Sequence, residues 1–122
     1  MKNMRIEISV EYQKACARLD GVLMRWIAVS QDMQVLTDLA LPVVSAVIVP
    51  GMRDGGQPEI TLVVDGREQE AAAWRVLGEF KEACGWVELQ ALSQSVGSGS
   101  MASVELFQPL ENRRLCVNVR EV

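Results

Sequence analysis

Between residues 58 and 92 the hydrophobic period changes from two residues to a helical spacing and back again. This stretch constrains the possible folds more than any other. Ile60, Leu62 and Val64 alternate with Glu59, Thr61 and Val63, which predicts a strand with one buried face. Asp65-Gly66 supplies a turn. From about Glu68, Ala73, Leu77, Phe80 and Cys84 recur at helical spacing, with Glu70, Arg75, Glu79 and Glu82 at polar positions. Gly85 stands where a left-handed residue would end the helix. Val87, Leu89 and Ala91 then alternate with Glu88 and Gln90. Strand, helix and strand of these lengths predict one βαβ unit. Its core is expected at Ile60, Leu62, Leu77, Phe80, Val87 and Leu89.

Upstream, residues 5–12 place Ile6, Ile8, Val10 and Tyr12 on one side and Glu7, Ser9 and Glu11 on the other, a further strand pattern. Residues 13–33 change to helical spacing through Cys16, Leu19, Leu23, Trp26 or Ile27, and Ser30. Gly21 weakens that helix by about 1 kcal/mol relative to alanine, and Asp20 could instead cap a helix starting after it. Residues 34–41 fit either a helix tail or a strand, and Pro42 stops both. Residues 43–49 are β-branched and apolar on both faces, the pattern of an interior strand. Residues 50–58 have loop composition. The resulting order, βαββαβ, predicts an α+β ferredoxin-like sandwich, an antiparallel sheet with two helices on one face.

The composition shifts after Leu92. Residues 93–103 read SQSVGSGSMAS, too small and polar to predict packing. Val104 and Leu106, then Leu115, Val117 and Val119, alternate in the strand period and predict an added C-terminal hairpin or strand. Gly97-Ser98-Gly99-Ser100 is open to two readings: a glycine-rich surface loop, or an engineered tether joining a domain of residues 1–96 to a partner-like segment, residues 101–122. Docking of that segment on an open sheet edge makes Val104, Leu106, Leu115, Val117 and Val119 the expected partner-binding residues.

With 122 residues, 49% of them hydrophobic, the chain suits one core. A net charge of −4 with 12 basic residues disfavours nucleic acid. No apolar run would span a bilayer or act as a signal core, and the three cysteines are odd in number and unclustered, so a reduced, cytoplasmic setting is expected. The chain lacks histidine, which removes the Ser-His-Asp, Cys-His and HExxH arrangements. No metal, nucleotide or other cofactor is expected. The loop at residues 51–56, GMRDGG, precedes a strand and lacks the lysine of a phosphate loop, so it reads as a turn. Asp65, Glu68 and Glu70 read as carboxylates complementing a helix dipole. Cys84 falls at a helix C-terminus, where a thiolate is disfavoured. Lys81 is a candidate catalytic lysine, and Arg113 and Arg114 could bind an anion, although solvated turn residues are the more frequent case.

The order of elements, with RIEISVEY opening and ITLVVDG before the second helix, resembles ACT-type regulatory domains such as those of acetolactate synthase small subunits. Leu19-Asp20-Gly21-Val22-Leu23 looks like that family's loop-to-helix glycine motif. The resemblance implies an amino-acid effector bound at a dimer interface by Asp20, Gly21, Val22 and Leu23. The leading expectation is a non-catalytic module of a hetero-complex that binds a partner β segment by sheet-edge addition. An ACT-like sensor is the alternative, and a carboxylate or lysine enzyme the third.

Overall fold

The computed structural model describes residues 10–49, 57–96 and 99–122. In chain order the elements are α1 (Val10–Asp38), β1 (Ser45–Val49), β2 (Glu59–Val64), α2 (Gly66–Cys84), β3 (Val87–Val96), β4 (Gly99–Gln108) and β5 (Arg113–Glu121). The class is α+β. The strands form one sheet in the order β1-β2-β5-β4-β3. Strand β2 pairs in parallel with β5, and the other neighbours are antiparallel. Strands β2 and β3 therefore run in the same direction with β5 and β4 between them, a split βαβ unit built around α2.

The unit at residues 58–92 folds for the local reasons its sequence supplies. Ile60, Leu62 and Val64 point inward and are fully buried. Gly66, at φ +83°, makes the turn into α2 that a side chain would resist. The Asp65 backbone N–H, left without a partner in its own helix, donates to Gln69 Oε1 at 2.6 Å. Gly85 ends α2 at φ 71°. Ala73, Leu77 and Phe80 form the buried face of the helix.

Several expectations are corrected. Val10 to Tyr12 belong to α1 and not to a strand, and residues 1–9 lie outside the described residues. The described order is αββαβββ, not βαββαβ, and the sheet is mixed instead of wholly antiparallel. α1 runs unbroken through Gly21. Among its described side chains the buried ones are Val29, Asp32 and Leu36, while Leu23, Trp26 and Ile27 of the apolar stripe are exposed. Strand β3 is an edge with a register shift between Glu88 and Gln90, so Val87 and Leu89 are each 48% exposed and Trp86 takes the core position. Ser93 to Val96, with Gly99 to Ser103, extend the β3–β4 hairpin, since backbone pairing does not require apolar side chains.

The C-terminal strands are integral. β5 lies inside the sheet between β2 and β4, not at an edge. Val104, Leu106, Leu115, Val117 and Val119 are buried in the same core as Ile60, Leu77 and Phe80.

Candidate functional site: the β1 edge

Strand β1 follows Pro42 in the stretch PVVSAVIV, where β-branched side chains favour extended backbone. The Val44 N–H donates to the Val63 carbonyl at 2.8 Å, and the ladder continues from Ser45↔Val63 to Val49↔Glu59. Ala46 and Ile48 stand opposite the buried Leu62 and Ile60, on the side of the helices. Ser45, Val47 and Val49 point to the other face. Val47 is 54% exposed and Val49 42% exposed, and Val44 just before the strand is exposed as well.

The residue pattern and the position of β1 disagree. A strand apolar on both faces belongs inside a sheet, yet β1 has a neighbour on one side only among the described residues. Edges are usually blunted by charge, proline or a bulge. β1 has none within Ser45–Val49, and its register on β2 is unbroken. The other edge, β3, carries both Glu88 and the register shift.

Two groups of polar side chains engage one another elsewhere in the fold. On the face away from the helices, Ser103 Oγ donates to Asn118 Oδ1 at 2.6 Å and Asn118 Nδ2 donates to Thr61 Oγ1 at 3.2 Å. These form one polar row across β4, β5 and β2. At the α1–β5 contact, Arg113 makes two hydrogen bonds of 2.7 Å to the Asp32 carboxylate and lies over the Trp86 ring, 4.7 Å from its centre. Gln108 Nε2 donates to the Cys84 carbonyl just beneath. This arrangement clamps α1, the end of α2 and the β4–β5 turn together.

The residues singled out from the sequence are dispersed. Asp20, Gly21, Val22 and Leu23 lie within α1, where the resemblance implied a loop before a helix. Asp65 and Glu68 are exposed at the start of α2. Glu70 lines a cleft of about 400 Å³ between α2 and the β3–β4 hairpin with Trp74, Lys81, Ala91 and Val104. Lys81 is paired there with Glu88 at 3.0 Å. Arg113 is held by Asp32 and Glu111, and Arg114 approaches Glu105 at 3.7 Å. The GMRDGG stretch lies outside the described residues. Among the described residues no group of three or more metal-binding side chains comes together. No described helix is long and apolar enough to cross a membrane.

Both described thiols are held protonated. Burial pushes Cys84 upward, and the Asp32 carboxylate adds to it. Burial, with Glu59 and Glu105, pushes Cys116 up to about 11. At about pH 8, alkylation of Cys116 is therefore expected to run about a hundredfold below that of an ordinary cysteine, rising about tenfold per pH unit towards the thiol's own pKa. Peptide-resolved mass spectrometry after timed iodoacetamide treatment measures this. A rate equal to that of a free cysteine would contradict it.

The burial of Asp32 and the edge position of β1 are not what the sequence leads one to expect: residues 43–49 form the expected strand, but at the end of the sheet and not in its interior. Nothing in the sequence marks Asp32 as buried, because its partner is 81 residues away. β1 did carry a signal, its two apolar faces, but its place in the sheet was hidden. No protein-family model and no curated protein matches this chain.

Proposed function

We propose that this protein is a non-catalytic protein-interaction module that takes a β strand onto the edge of β1, which is open among the described residues. The observation that carries this reading is the mismatch between an interior-type strand, SAVIV, and an edge position. An added strand would satisfy the outward backbone donors and acceptors and cover Val47 and Val49. The absence of charge and bulge on β1, against their presence on β3, selects this edge over the other. The residues on which catalysis could rest, Lys81 and the carboxylates, are dispersed or paired, which favours binding over chemistry.

The test is a titration of isotope-labelled protein with an excess of synthetic peptides of alternating valine and threonine. Amide shifts and slowed hydrogen exchange are expected at Ser45–Val49, and Val47→Lys should remove them. The substitution changes an exposed side chain, so the core is left intact. Effects confined to β3, or uptake undiminished by Val47→Lys, would sink the reading.

A further inference from the structure

The sequence of β1 also bears on what occupies the edge, given the reading above that the edge accepts a strand. We infer that the partner is a second copy of this chain, joined β1 to β1 in antiparallel fashion about a two-fold axis midway between the two Val47 residues. An isologous pair needs a surface complementary to itself, and SAVIV meets that need row by row. Val47 would face Val47 of the second copy, Ala46 would face Ile48, and Ser45 would face Val49. Every row is small or apolar, and no like charges meet although the chain carries a net charge of −4.

The two-fold axis stands perpendicular to the joined sheet, so both sets of helices stay on one face. α1 packs on β1 and β2, so the two α1 helices come to the same side of the seam. A five-residue strand pair alone falls short of the roughly 1,000 Å² that a stable interface buries. The exposed Leu23, Met24, Trp26 and Ile27 hold further apolar area on α1 itself.

Residues directly opposite in an antiparallel pair have Cα atoms about 4.5–5.5 Å apart, within disulfide reach. Sedimentation over a dilution series should therefore show a monomer–dimer equilibrium, with Val47→Lys raising the dissociation constant about tenfold or more. On mild oxidation Val47→Cys should link to itself across two chains. Val49→Cys should not, but should link to Ser45→Cys when the two variants are mixed. Mapping the linked peptides separates these products from bonds made by native cysteines. A protein monomeric throughout the series, or a dimer in which Val47→Cys forms no such link, overturns the inference. Peptide uptake at β1 by a monomeric protein would leave the interaction reading standing, whereas absence of both would remove both.

Discussion

Phe80→Ala is expected to lower the unfolding free energy by about 3–5 kcal/mol, the range for a fully enclosed aromatic side chain. Phe80 has no exposed surface and stacks on Trp86 with ring centres 5.9 Å apart. It joins the face of α2 to the sheet side of the core, where Leu77, Leu106 and Leu115 are also buried. Truncation removes the ring from that contact and leaves a cavity that neighbours on a helix and a sheet fill only in part. The shift of the urea midpoint, with an unchanged slope, measures the loss. An unaltered midpoint would detach α2 from the core and sink the architecture.

Asp32→Ala should cost about 3 kcal/mol, near the lower end of the range for breaking a buried pair. The Asp32 carboxylate is 6% exposed and the Arg113 side chain 25% exposed, so the loss strands a guanidinium that water reaches only in part. Glu111, at 2.5 Å from Arg113 Nε, remains as a second partner and limits the damage. The effect should vary little with salt, since buried pairs are weakly screened. It should also loosen α1 before the sheet, visible as faster exchange at Val29–Leu36 than in β5. A loss below about 1 kcal/mol, abolished by salt, would mark the pair as a surface contact.

These two sites differ in how legible they were. Phe80 is readable because helical spacing alone places it on one stripe with Ala73 and Leu77, and α2 has a single apolar stripe to bury. α1 offers more than one. Leu23 and Trp26 continue the stronger periodic pattern, yet Val29, Asp32 and Leu36 face the core. Periodicity identifies an apolar face; it does not say which of two faces meets the sheet. Asp32 defeats the pattern altogether, because a buried carboxylate is tolerated only through a partner that folding brings from far along the chain.

The C-terminal segment shows the same division. The alternation of Leu115, Val117 and Val119 predicts a strand and its inward face, and both are present. Its position between β2 and β4 could not follow from alternation, which is identical for edge and interior strands. The small, polar run near residue 97 suggested a break in packing, yet residues 93–96 and 99–103 pair as strands. Ladder hydrogen bonds use backbone groups that every non-proline residue carries.

Part of the local order in this protein was determined by the sequence alone: the period of β2, the face and glycine stop of α2, and the alternation at Val104 and Leu106 and from Leu115 to Val119 follow from side-chain spacing and backbone freedom. Strand neighbours, the parallel β2–β5 pair, the Asp32–Arg113 clamp and the exposure of β1 were decided only in the tertiary structure. The physical reason is that spacing along a chain encodes which side of an element is apolar, while the identity of what covers it depends on contacts between distant segments. At β1 the two levels disagree: its residues suit an interior strand, and the fold leaves its outer edge unpaired among the described residues.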